Sequence, residues 1–264
     1  MKEAAFRGLM VGLGKISLSR VGVGGLIKKC VDETRKWHSG GNTNLGIVTL
    51  LVPLTVGAGI FKVKNVKFNV DIFRGYVEKV CKATTVKDAV DFYEAVELAK
   101  TGGLGKIQHE KAPDVTSKTA KEEIFQKEIT LYRVMKTCSK WDTICKEWVT
   151  RMKITFKTGY PTIKKVYMET KNFNLAITQC FLTILAQHPD SLIARKNGLD
   201  VAKKVSEEAK KILKVGGTLT SKGRKMAEEL DLKLRTPDNR LNPGTTADLT
   251  VSSTMVCLLS GIKP

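Results

Sequence analysis

The chain has 264 residues, 42% of them hydrophobic, and 45 Lys and Arg against 26 Asp and Glu give a formal net charge of +19. That apolar share excludes a disordered chain, the length allows one large or two small domains, and the charge favours an anionic partner. Zinc-finger spacing and an aromatic-bearing RNA-recognition strand are missing and aromatics are only 6%, which counts against nucleic acid and leaves a nucleotide polyphosphate as a fitting polyanion.

In chain order, the first apolar stretch, GLMVGLG, lacks the long hydrophobic region and small-residue cleavage site of a signal peptide, so a cytoplasmic protein is expected. Next, HSGGNTNLG (His38 to Gly46) sets Gly41, Asn42, Thr43 and Asn44 directly before an apolar run. Such a start is either a plain N-cap or a seat for phosphate on unpaired helix amides. The run itself, Leu45 to Phe61, holds no charged residue over 17 positions but is interrupted by Pro53, Gly57 and Gly59. It reads as a buried central helix, kinked where Pro53 removes a donor, and not as a membrane span.

VKDAVDFYEAVELAK places Val86, Ala89, Val90, Tyr93, Val96 and Leu98 near one helical face before a Gly-Gly stop. The turn-rich connection GGLGKIQHEKAPDV (Gly102 to Val115) follows, where Gly103 and its neighbours can end a helix and bring bare backbone to a ligand. His109 and Asp114 are its titratable pair with acid/base potential; a solvated or structural histidine is the plainer account.

TAKEEIFQKEITLYRVMKTC, NFNLAITQCFLTILAQ, LIARKNGLDVAKKVSEEAKKIL and SKGRKMAEELDLKL repeat the helical texture, and alternating strand patterns are nearly absent. An all-α, bundle-like architecture forming a single compact domain over residues 1–264 is therefore expected. Within it, HPDSLIARKNG (His188 to Gly198) lets Asp190 cap a helix that carries Arg195 and Lys196. This spacing can offer a carboxylate to Mg²⁺ and cations to phosphate, or it is a capped surface helix in which Asp190 pairs with Arg195.

Finally, LNPGTTADLT (Leu241 to Thr250) opens the last apolar helix. Asn242 or Thr245 can cap it, Pro243 suits its first turn, and Asp248 stands three residues after Thr245 in a capping-box variant. Gly244 also admits a ligand to the backbone, so the amides of Gly244, Thr245 and Thr246 offer a second phosphate seat. The six cysteines are scattered, without metal-ligand spacing, and suit free thiols in a reducing compartment.

In order and spacing, GGNTNLG, GGLG followed by DV, PDSLIARKNG and LNPGTTADLT resemble the ATP:dephospho-CoA triphosphoribosyltransferase family, from about Gly40 to the C-terminus. The resemblance implies an all-helical transferase that joins the ribose 2′-hydroxyl of dephospho-CoA to C1 of the ATP ribose and releases adenine. Its product would be the precursor of the prosthetic group of citrate lyase and malonate decarboxylase. Members of that family usually begin with a further segment bearing a KPG turn, which is not found here; the chain starts at MKEAAFRGLMVG.

Displacing adenine passes through an oxocarbenium-like state, so carboxylates are needed near the ring. Asp190, Asp248 and Asp114 are the candidates, with Asp190 and Asp248 also meeting Mg²⁺ on the triphosphate. The amides of Gly41 to Thr43 and of Gly244 to Thr246, with Arg195 and Lys196, would hold the phosphates. Asn42, Asn44 and Asn242 would orient ribose hydroxyls or read the adenine edge, or are caps. ATP and dephospho-CoA are thus the expected partners, without a membrane and with an oligomer allowed. Two other readings are ribosyl transfer to a different alcohol, such as a pterin-cofactor intermediate, and a basic helical protein that binds nucleic acid.

Overall fold

The helical spacing of the sequence is realised as fourteen α-helices, with no strand among the described residues. The structure, a computed structural model, describes residues 1–37, 44–64, 67–99, 113–115, 117 and 119–264. The all-α class is as expected. Backbone contacts gather the helices into two compact units, Met1–Met152 and Lys153–Pro264, which are described in turn.

The first unit contains α1 (Lys2–Gly12), α2 (Val23–Trp37), α3 (Leu45–Val63), α4 (Val70–Lys82), α5 (Val86–Ala99), α6 (Ala120–Gln126), α7 (Leu131–Cys138) and α8 (Thr143–Val149). Its axis is α3, the charge-free stretch, against which α1, α2, α4 and α8 pack. It is long and apolar enough to cross a membrane, yet 61% of its most apolar window is buried inside the protein, as a core helix requires. The α1–α3 contact is backbone on backbone: β-carbons on Gly8 and Gly59 would overlap the Val56 and Ala5 carbonyls.

Pro53 sits inside α3 and cannot donate to the carbonyl one turn back, that of Thr49. The vacancy is filled from α8, where the buried indole Nε1 of Trp148 donates to Thr49 O at 3.1 Å. On α5 the buried face carries Asp88 and Asp91 beside Ala89, Tyr93 and Val96, so two carboxylates lie on the side that the apolar pattern alone would mark as core. The stretch from Thr119 to Cys138 is two helices, not one, because Glu128 adopts a left-handed φ of 47° between them.

The second unit opens with a π-helical turn, Thr155–Gly159, then α9 (Tyr160–Thr170), α10 (Phe173–Gln187), α11 (Ser191–Asn197), α12 (Leu199–Lys214), α13 (Ser221–Leu234) and α14 (Gly244–Leu259). Gly198, at φ 90°, divides the helical run from Leu192 onward into α11 and α12. Leu182, Leu185, Ile193, Ala202, Val205 and Leu230 form a core shared by α10 to α13. The C-terminal helix α14 packs on α9, α10 and the π turn. There Ser252 Oγ meets Thr155 Oγ1 at 2.8 Å, and a β-carbon on Gly159 would overlap the Ser253 hydroxyl.

Candidate active site

Two of the sequence blocks meet at one carboxylate. Asp190 is the N-cap of α11: its Oδ1 accepts from the amides of Leu192 at 2.8 Å and Ile193 at 3.1 Å. Its Oδ2 turns to α14, where it accepts from the amide of Thr246 at 2.7 Å and from the Thr246 hydroxyl at 2.8 Å. One side chain therefore caps two helices that lie 56 residues apart in sequence. Beside it, Ser191 Oγ and Thr245 Oγ1 are 3.1 Å apart. Asp190 is 2% exposed, and burial, the largest influence, pushes its carboxyl above the usual carboxylate range against the hydrogen bonds that favour the charged form.

This arrangement revises the local reading of the last helix. The N-cap of α14 is Pro243, with no side-chain cap from Asn242 or Thr245, because Asp190 supplies the acceptor from another helix. Thr245 falls inside α14 and is not its N-cap, the position that the expected capping box requires, and Asp248 lies half-buried in the second turn. Of the three amides expected to seat phosphate, that of Gly244 donates to Asn242 O at 2.9 Å and that of Thr246 to Asp190, which leaves Thr245. The open approach that Gly244 permits is used by α11: a β-carbon there would come within 2.7 Å of Leu192 Cδ2.

The cations of the block lie at the far end of α11. Arg195 is exposed, Lys196 donates to Asn239 O at 3.2 Å, and Asn242 is exposed at the entry to α14. Lys196, with Asn197 donating to Arg240 O at 2.9 Å, fastens α11 to the loop that leads to Asn242.

In the first unit, Gly41, Asn42, Thr43, Gly103 and His109 lie outside the described residues. Asn44 is the N-cap residue of α3 but makes no side-chain cap; its Nδ2 donates to Thr34 Oγ1 at 2.6 Å, joining the start of α3 to α2. Asp114 is half-buried, and the neighbouring Pro113 carbonyl accepts from the buried Tyr93 hydroxyl at 2.7 Å, which ties this segment to α5.

Asp88, Asp91 and Glu147, acidic residues outside the motif blocks, are buried in this unit. Asp88 Oδ1 accepts from Gly24 N at 2.8 Å in the first turn of α2, while Oδ2 accepts from the amide and hydroxyl of Thr85 at 2.7 and 2.8 Å. Asp88 N in turn donates to Thr85 Oγ1 at 3.2 Å, so the reciprocal cap expected at Thr245 and Asp248 is found instead at Thr85 and Asp88. Glu147, on α8, is 0% exposed. Its signal was in the sequence: Ile144, Glu147 and Trp148 follow the i, i+3, i+4 spacing of one buried helical face.

For magnesium, the described donors can be compared with what the ion requires. Mg²⁺ is usually held by one or two carboxylates together with water and substrate phosphates. Among the described residues, no group of three or more His, Cys, Asp or Glu side chains gathers in one place. The four hydrogen bonds on Asp190 also fill the acceptor capacity of its two oxygens. The described donor set thus fits an ion that arrives on a triphosphate better than one caged by protein side chains.

A protein-family profile described as ATP:dephospho-CoA triphosphoribosyl transferase matches residues 1–264. Among solved structures, the chain is similar to an Archaeoglobus fulgidus protein described as a triphosphoribosyl-dephospho-CoA synthase, with 25% sequence identity and a TM-score of 0.70. That match covers 99% of this chain and 98% of the other. No curated protein matches the chain.

Proposed function

The chain belongs to the ATP:dephospho-CoA triphosphoribosyl transferase family, and from that premise we propose how its residues divide the work of transfer. The enzyme joins the ribose 2′-hydroxyl of dephospho-CoA to C1 of the ATP ribose. The bond from C1 to adenine N9 breaks, the bond from C1 to the acceptor oxygen forms, adenine leaves with the electron pair and is protonated, and the hydroxyl proton is lost. A carboxylate beside C1 stabilises the developing cation, and a base takes the hydroxyl proton.

Asp248 is the carboxylate we assign to the chemistry on α14, with Asp114 as the second candidate. Asp190 takes a different role from the metal ligand expected of it. Its oxygens are occupied by four donors, so it acts as the clasp that fixes the start of α14 against α11 and sets where Asp248 stands. The single observation that carries this division is the pair of bonds from Thr246 to Asp190. Arg195 and Lys196 supply positive charge for the triphosphate, with the Asn242 amide as a neutral donor. Asp248 would be the protein carboxylate that meets Mg²⁺ brought by ATP, and the ion would offset charge on the triphosphate. The free thiols of all six cysteines suit a reducing, cytoplasmic compartment.

Incubation of the protein with ATP, Mg²⁺ and dephospho-CoA, followed by chromatography and mass spectrometry, tests the activity. Free adenine and a dephospho-CoA adduct carrying the triphosphoribosyl group are the expected products. Formation of ADP without adenine would overturn the reading. Adenine released with another alcohol but not with dephospho-CoA would keep the ribosyl chemistry and move the acceptor.

A further inference from the structure

The second unit carries a groove of about 810 Å³ that none of the motif blocks predicts. Its floor is the open edge of the α10–α13 core, where Leu182, Leu230 and Leu234 are buried and Phe181 and Ala227 half-buried. Both α10 and α13 pack on α12, and the groove runs between them. Its polar lining holds Arg224 and Arg235 with Glu228 and Asp231, Arg235 being paired with Asp231 at 2.7 Å, and the amides of Asn239 and Asn242. One end is formed by Asn242, Pro243 and Ala247, the residues that flank the Gly244–Thr246 turn held by Asp190.

The volume lies within the roughly 300–1,000 Å³ of small-molecule sites, and an aliphatic floor with a few amide groups at the rim matches an extended chain that alternates alkyl and amide groups. The acceptor of the family reaction has such a chain: the pantetheine arm of dephospho-CoA, with a gem-dimethyl group, two amides and a terminal thiol, joined to its nucleotide through a diphosphate. A ligand that reacts at the α14 end can lay its unreactive tail along this groove, because Asn242, Pro243 and Ala247 line it. The Asn239 and Asn242 amides can pair with those of the arm.

We propose that the groove between α10 and α13, continuous with the start of α14, binds the pantetheine arm of the CoA-type acceptor. The proposal rests on the transferase reading and deepens it. It makes the apolar arm the feature by which the enzyme selects dephospho-CoA over a bare nucleotide, because binding energy from a remote part of a substrate positions the reacting hydroxyl.

The test is obstruction of the groove. Ala227→Trp and, from the opposite wall, Thr178→Trp are prepared and their helical content checked by circular dichroism. In each folded variant the KM for dephospho-CoA should rise by about tenfold or more while the KM for ATP stays within about twofold of wild type. Unchanged KM for dephospho-CoA in both variants would overturn the proposal. A second readout is independent of catalysis: calorimetric titration with 4′-phosphopantetheine. Binding to wild type that is lost in the variants supports the groove even if wild type releases no adenine, a result that would count against the transferase reading instead. Equal binding to wild type and variants, or none to wild type, overturns the groove.

Discussion

Thr246 gives both its amide and its hydroxyl to a single oxygen of Asp190, at 2.7 and 2.8 Å, and so locks the first turn of α14 to the first turn of α11. The helix start that the sequence offers to an outside phosphate is thereby occupied by a carboxylate of the protein itself, which also answers the positive end of the α14 dipole. The motif block here ties the starts of two helices together.

Removing the clasp should be costly. Asp190→Ala leaves the buried amides of Leu192, Ile193 and Thr246 without acceptors, and a loss of about 3–5 kcal/mol is expected in urea unfolding. Thr246→Val removes only the hydroxyl donor and should cost about 1–2 kcal/mol. In the double variant the two losses should fall short of their sum. Strict additivity would show that the two side chains are not coupled.

Trp148→Phe should destabilise by more than its lost area. The indole hydrogen bond satisfies the Thr49 carbonyl left open by Pro53, so its removal strands a buried acceptor at a cost of about 1–3 kcal/mol. Combining Trp148→Phe with Pro53→Ala restores the donor inside α3 and should recover part of the loss in thermal melts. No recovery would mean that the indole serves only as packing.

Cysteine labelling reads the core of the second unit directly. Burial pushes the Cys180 and Cys257 thiols up to about 12, so almost no thiolate exists at pH 8 in the native protein. Burial likewise raises the Cys81 thiol far above its ordinary range. Native alkylation with iodoacetamide, mapped by mass spectrometry, should spare these three and reach them only after denaturation. Rapid native labelling of Cys257 would show that α14 is not seated as described.

Much of the fold was legible. The span of α13, Ser221–Leu234, coincides with the quoted run SKGRKMAEELDLKL, and the uncharged stretch from Leu45 is the buried axis of its unit. Thr85 and Asp88 have the same separation as Thr245 and Asp248, but Thr85 stands directly before α5 whereas α14 already begins at Gly244, which puts Thr245 inside the helix and not at its cap. Local spacing fails where a distant partner decides. Proximity of the HPD and NPGTT blocks had no local signature beyond the motifs themselves. Glu147 lies on the buried face of α8 with Ile144 and Trp148, although an acidic side chain is seldom fully buried. Left-handed turns at Glu128 and Gly198 also cut runs whose apolar period continues across them, and glycine marked only one of the two.

The division of labour between two aspartates is tested most directly by assaying Asp248→Asn and Asp190→Asn together for adenine release and melting temperature. Asp248→Asn should melt within about 2 °C of wild type and lose adenine release by about a hundredfold or more, whereas Asp190→Asn should melt at least several degrees lower. Full adenine release from Asp248→Asn, with an Asp190→Asn protein that is as stable as wild type but inactive, would contradict the account and return the chemistry to Asp190.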